Sequence, residues 1–208
     1  MKVMILANND VGLYQFRREL IEELLKENKV VISLPYGDCI NPLENIGCKF
    51  IDTPVDRRGI NPIKDLKLFF TYGKILKQET PDLVITYTIK PNVYGGCVCR
   101  LTKIPYAVNI TGMGTAFENG GMLKKIATIL YKIGCKKAKI VFFENEGTRQ
   151  IFIKEKIVKE CQTYRLNGAG VNLEKYQAVR YPDGKRIKFL FMGRIMAEKG
   201  IEDLCEAM

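Results

Sequence analysis

A chain of 208 residues with 47% apolar side chains holds enough material for a packed domain and part of another, which excludes a disordered polymer. Its formal charge of +10, from 33 basic and 23 acidic residues, suits an anionic partner such as nucleic acid, anionic lipid or a phosphorylated substrate. The chain has no histidine, so imidazole metal ligands, His-based triads and His general bases are excluded, and its seven scattered cysteines form no disulfide framework, as suits a reducing cytoplasm.

Lys2–Ala7 is a short apolar run suited to a strand buried on both faces. No secretory leader is read there, and no apolar run reaches the length of a membrane span. Leu13, Phe16, Leu20, Ile21 and Leu24 then recur at helical spacing, with Arg17, Arg18, Glu22 and Glu23 between them. Lys29–Leu34 and Lys49–Thr53 read as strands, separated by a loop punctuated by Pro35, Gly37 and Asn41-Pro42. Asn61-Pro62 opens a helix expected to gather Leu66, Phe69, Phe70 and Leu76 on one face, and Pro81-Asp82 ends it.

Strands follow at Leu83–Thr86, Tyr106–Ile110, Ile140–Phe143 and Gln162–Leu166. Helices are expected over Pro91–Thr102, Leu123–Ala138 and Gly147–Lys156. This alternation predicts βαβ units, hence an α/β, doubly wound Rossmann-like parallel sheet with helices on both faces. That domain occupies 1–166, and a polar, aperiodic stretch at 167–186 reads as a linker. A further strand at Ile187–Met192 and a helix from Gly200 then read as the truncated start of a second α/β domain, 187–208.

Ligands of such sheets bind beyond the C-terminal ends of the strands, beside helix N-termini. After the first strand, Gly12 is the one glycine where a dinucleotide fingerprint needs three, so Gly12 marks either a close substrate approach or an ordinary tight turn. After the fourth, Lys90 is expected at the cleft mouth, just before Pro91 and Asn92. After the fifth, Thr111, Gly112 and Gly114 make a small-residue loop that permits close contact or a mobile flap. In the last such loop, Gly193-Arg194 and Lys199 combine two cations with a helix start, a seat for a diphosphate or simply a solvated surface.

The segment Gly193-Arg194, a short spacer, then Glu198-Lys199-Gly200 resembles the start of the second domain of GT-B glycosyltransferases of family four. Thr88–Gly95, Thr111–Gly114 and Asn167–Asn172 resemble phrases of its bacterial members that build capsule, exopolysaccharide or lipid-linked oligosaccharide. The resemblance implies an acceptor-side Rossmann-like domain, with Gly12, Lys90, Asn92, Thr111, Gly112 and Gly114 shaping the acceptor cleft. Gly193, Arg194 and Lys199 would bind the donor diphosphate. It also implies a retaining, metal-independent hexosyltransferase without a cofactor, moving sugar from a nucleotide-sugar donor such as a UDP-sugar to a glycan or lipid-linked acceptor. No catalytic base is assigned.

The family's paired glutamates of the second domain are absent, so the chain is expected to be a piece, inactive alone. Its strand Ile187–Met192 is then expected to disorder, or to pair with another copy or with the first domain's sheet. Over 123–138, apolar residues alternate with lysines, which reads as a helix on an anionic membrane or as a core helix with a basic outer face. The expected location is cytoplasmic, peripheral on the inner face of the membrane. A non-catalytic sugar- or nucleotide-binding module on the same sheet remains the alternative, while nucleic-acid binding lacks the stacking surfaces and groove-entering motifs it needs.

Overall fold

Seven short strands pair in parallel in the order β3-β2-β1-β4-β5-β6-β7. They are β1 (Lys2–Leu6), β2 (Lys29–Leu34), β3 (Lys49–Asp52), β4 (Leu83–Tyr87), β5 (Tyr106–Ile110), β6 (Ile140–Phe143) and β7 (Thr163–Arg165). The computed structural model describes residues 1–57, 59, 61–113, 121–181, 184, 187–193, 195 and 199–207. Met4, Ile5 and Leu6 in β1 are fully buried, because a central parallel strand is covered on both faces. Register is continuous through the centre, with Ile5 beside Ile32 of β2 and Ile85 of β4. The chain runs outward from β1 to β3, returns, and runs the other way from β4 to β7. The β1/β4 boundary is therefore the switch point at which a crevice opens.

One face of the sheet is covered by α1 (Asp10–Leu25) and α2 (Ile40–Asn45), around Ile5, Leu13, Ile21, Ile32 and Leu43. The other carries α3 (Pro62–Glu79), a π-helical turn (Pro91–Gly95) running into α4 (Gly96–Thr102), α5 (Gly121–Cys135) and α6 (Glu146–Lys154). There, Phe152 meets Tyr131 and Phe143 edge-on, with ring centroids 5.1 and 5.2 Å apart. Truncating so buried an aromatic costs about 3–5 kcal/mol.

Asn61 caps α3 as its sequence suggests, accepting from the backbone N–H of Ile63 and Lys64 at 3.0 and 3.3 Å, and Pro62 takes the first turn. At the far end of α3, Glu79 ties the N-terminal edge of the sheet together. Lys49 Nζ donates to its Oε1 at 2.6 Å and Lys2 Nζ to its carbonyl oxygen at 2.5 Å.

Several expectations need correction. The loop around Asn41-Pro42 contains the short helix α2, which buries Ile40 and Leu43. In α1 the buried stripe is Asp10, Leu13, Arg17 and Ile21, while Phe16 and Leu20 are exposed. In α3 the core face is Leu68, Tyr72, Ile75 and Leu76, and Leu66 and Phe70 point to solvent. The helix expected from Pro91 begins with a π turn. There α5 passes so close that a Cβ on Gly134 would lie 2.7 Å from Asn92 O, and one on Gly96 2.4 Å from Gly134 O.

Packing divides the chain into Met1–Val171 and Asn172–Met208. In the second unit the described residues form an Asx turn, in which Asn172 accepts from Glu174 and Lys175, and the helix α7 (Ile201–Ala207). The strand expected at 187–192 is not formed, and Ile187, Phe189, Leu190 and Met192 are exposed. A parallel strand exists only through its neighbours' hydrogen bonds, and none pairs with this segment among the described residues.

Candidate functional site

A cavity of about 330 Å³ opens at the switch point. Its walls come from the C-terminal ends of the central strands: Ala7, Asn8 and Asn9 after β1, Tyr87 and Thr88 at β4, Thr111 after β5 and Glu144 after β6. Gly12, Leu13, Phe16 and Arg17 of α1, Arg57 from the β3–α3 connection, and Ala169 complete it.

The first turn of α1 faces this space uncapped. Asn9 holds the extended N-cap conformation, yet its side chain caps nothing, whereas Asn61 and Asn145 cap α3 and α6. Backbone N–H groups of that turn thus have no side-chain acceptor of their own. Gly12 keeps the turn close, since a Cβ there would come within 3.1 Å of Asn9 Nδ2.

The floor is a charged cluster. Arg17 forms an ion pair with Glu144 across the sheet's end, and its Cζ lies 5.2 Å from the centroid of the Tyr87 ring. With 10% and 19% of their side chains exposed, Arg17 and Glu144 are largely withdrawn from water, and each neutralises the other. Burial pushes the Tyr87 phenol above its ordinary value, opposed by the Arg17 charge and a hydrogen bond with Asn109, so the ring stays neutral. Thr88 adopts φ 73°, a left-handed conformation in which a β-branched residue stores about 1–3 kcal/mol of strain. Such strain at a strand exit turns the chain sharply and leaves Thr88 on the cavity wall.

Among the expected acceptor-side residues, Gly12 and Thr111 line the cavity. Gly112 follows Thr111, with nothing among the described residues within 4 Å of where a Cβ would stand. Lys90 is not at the mouth of this cavity. Its Nζ lies 2.6 Å from Asp65 Oδ1, whose other oxygen accepts from Tyr94 OH at 3.0 Å, so Lys90 fastens the π turn to α3. Asn92 is buried and donates from Nδ2 to Asn109 O at 2.9 Å, bracing β5 from behind. Gly114 and Arg194 lie outside the described residues. Gly193 and Lys199 are exposed in the second unit.

Arg17, Arg57, Phe16 and Glu144 were not singled out as site residues from sequence. A signal existed for one: Arg17 stands between Leu13 and Ile21 on the buried stripe of α1, where a charge needs a partner. Gly168 and Gly170 take φ +90° and +80°, which explains why glycine flanks the cavity residue Ala169.

An open, all-parallel α/β sheet with a cleft at its switch point, lined by apolar and polar groups together, is the Rossmann-like arrangement. Comparison with known proteins narrows this. The family described as "Glycosyl transferase 4-like" matches residues 2–145. The chain is 25% identical to the N,N'-diacetylbacillosaminyl-diphospho-undecaprenol alpha-1,3-N-acetylgalactosaminyltransferase of Campylobacter jejuni, over all of this chain and 60% of that protein. It is 33% identical to the UDP-Gal:alpha-D-GlcNAc-diphosphoundecaprenol alpha-1,3-galactosyltransferase of Escherichia coli, over 57% of this chain and 31% of that protein.

Among solved structures, a glycosyltransferase from Rickettsia africae superposes with a TM-score of 0.63 at 15% identity, over 99% of this chain and 48% of that one. Anabaena HepE in complex with UDP and glucose gives 0.62 at 15% identity, over 85% and 46%. The chain belongs to the glycosyl transferase 4-like family, with the Rossmann-like α/β fold of GT-B enzymes. It spans less than two thirds of the length of the relatives it matches.

Proposed function

We propose that this chain is the acceptor-side part of a glycosyltransferase that moves a sugar from a nucleotide-sugar donor to a glycan carried on a polyprenyl diphosphate. The observation that carries the reading is the switch-point cavity of a family member, furnished for a glycosylated diphosphate. Asn8, Asn9, Thr88 and Thr111 offer amide and hydroxyl groups to sugar hydroxyls, and exposed Phe16 offers a ring face. Arg57 and the uncapped start of α1 supply positive potential for phosphate oxygens. Both curated relatives carry undecaprenol diphosphate acceptors in their names, and this supports the acceptor class.

The donor is a UDP-sugar, and its diphosphate is held by Gly193, Arg194 and Lys199. As the sugar departs, charge builds on that diphosphate, and each cation contact lowers the barrier by about 3 kcal/mol. The transfer retains configuration and needs no metal. With no histidine available, the donor phosphate accepts the proton of the acceptor hydroxyl. Helix α5 rests on the membrane that holds the lipid carrier. Ile126, Ile129 and Ile133 are exposed on it beside Lys125 and Lys132, and the core side is left to Tyr131, Gly134 and Cys135. No helix among the described residues is long and apolar enough to cross a membrane.

The test is sugar transfer from UDP-sugars to a short-chain polyprenyl diphosphate glycan, using the polypeptide at the full length of its relatives. Transfer is expected, with kcat reduced at least a hundredfold by Arg194→Ala. Donor binding without nucleotide release on any lipid-linked glycan would favour a binding module instead.

A further inference from the structure

Two arginines line the switch-point cavity, and they are held differently. The charge of Arg17 is taken up by Glu144. Arg57 is exposed at a bend in the β3–α3 connection, and among the described residues no ion pair takes up its charge. The adjacent carboxylate, Asp56, is committed elsewhere. Its Oδ1 accepts from the Gly59 backbone N–H at 2.8 Å and its Oδ2 from Lys64 Nζ at 3.1 Å.

These two bonds close the chain around Arg57 and fasten it to the first turn of α3. Gly59 is fitted to that closure. A Cβ on it would stand 2.2 Å from Asp56 Oδ2 and 2.6 Å from Cγ, so any side chain there would displace the carboxylate. Before the bend, fully buried Thr53 shares a 2.7 Å hydrogen bond with Ser33 of β2, and Val55 packs against the core. After it, Asn61 caps α3. The Gly59 N–H and the Lys64 ammonium also hold the Asp56 carboxyl below its ordinary 3.8, so it is ionised at neutral pH.

We infer that Asp56 is a positioning residue: with Gly59 and Lys64 it holds the bend that aims Arg57 at the diphosphate of a lipid-linked acceptor. The inference rests on the acceptor reading proposed above and adds the device that sets its phosphate contact. A negative charge is otherwise out of place there. Asp56 adjoins the group that must attract an anion, and by charge alone it would weaken that attraction. Its geometry accounts for it, because both oxygens serve the turn and Lys64 offsets the charge. A planar guanidinium grips two phosphate oxygens only from the right direction, so the backbone beneath it must be fixed.

Charge and position predict opposite signs, which supplies the test. Titration calorimetry of this chain with farnesyl diphosphate, a short polyprenyl diphosphate, is expected to show binding that farnesol lacks. Arg57→Ala should weaken that binding about tenfold or more. Asp56→Ala, which opens the turn, should weaken it about fivefold, and Gly59→Ala should do the same. Asp56→Asn keeps an oxygen for the Gly59 N–H and removes the charge, so it should bind as tightly as the parent or more tightly. Asp56→Ala combined with Arg57→Ala should be no weaker than Arg57→Ala alone, because the carboxylate acts through the guanidinium. Melting temperatures should stay level across the set.

Tighter binding by Asp56→Ala would make the carboxylate a charge and nothing more. Additive losses in the double variant, or an Asn variant as weak as the Ala variant, would make it a separate structural element. Each of these results overturns the inference. So would parent-like binding by Arg57→Ala, or no binding of farnesyl diphosphate by the parent chain. The transferase reading is judged apart from all of them, by sugar transfer from the polypeptide at the full length of its relatives.

Discussion

The two ends of the sheet are built from the same strands and have opposite characters. At the N-terminal edge, Glu79 collects Lys49 and Lys2, Asp82 Oδ2 accepts from the Lys2 backbone N–H at 2.7 Å, and the hollow beside Lys2 is a shallow one open to solvent, edged by Met1, Lys26 and Lys29. At the C-terminal edge, polar groups surround a void, one helix start is uncapped and Thr88 is strained. The first end satisfies its charges with one another at the surface. The second sets the amides of Asn8 and Asn9 and the hydroxyl of Thr111 around a space, with the Thr88 hydroxyl donating to Tyr87 O, and its buried ion pair braces the floor. Closed charge pairing and an open, polar-edged space are thus separated along the strand axis, although the Arg17–Glu144 pair also stabilises the open end.

The strongest test of that separation is Arg17→Ala. It leaves Glu144 without its partner in a largely buried setting and should lower unfolding free energy by about 3–5 kcal/mol. Replacing both residues together, Arg17→Met with Glu144→Leu, should recover most of the loss in urea melts. A single variant as stable as the parent would mean that water already screens the pair. Next comes Gly134→Ala, away from both ends. Its Cβ would meet backbone atoms at 2.7 and 2.8 Å, so a loss of about 1–3 kcal/mol is expected in urea melts.

At the cavity itself, Asn8→Ala or Thr111→Val should each weaken binding of a polyprenyl diphosphate sugar about fivefold, the value of one hydrogen bond, with no change in Tm. A drop in Tm without a change in affinity would show these groups to be structural. The smallest effect belongs to the N-terminal edge. A hydrogen bond from Lys49 holds the Glu79 carboxyl below its ordinary 4.5, so its stabilisation is complete above pH 4.5 and is lost as pH falls through the lowered value. Glu79→Gln should therefore cost up to about 1 kcal/mol at neutral pH and almost nothing in acid, by thermal melts across pH.

Runs such as Lys2–Leu6 and Tyr106–Ile110 were legible because a strand buried on both faces must be apolar throughout. Helix faces were less so. Periodicity groups apolar residues without saying which group meets the sheet, so Phe16, Leu66 and Phe70 were read inward and stand outward. Loop position alone put Gly12 and Thr111 at strand ends, and both line the switch-point cavity. The same logic misplaced Lys90, whose partner Asp65 comes from a different helix and is a matter of tertiary packing. Glu144 gave no local sign, since its importance is set by Arg17, far away in the chain.

The crossing of Gly96 and Gly134 brings bare backbone against bare backbone, with no side chain to act as a bearing. The approach of α5 is therefore fixed against the π turn and α4, where no rotamer change can relieve it. Any displacement of α5 would carry the π turn with it, and the π turn touches β4 and β5, so a push on the helix would be felt at the strands beside the opening.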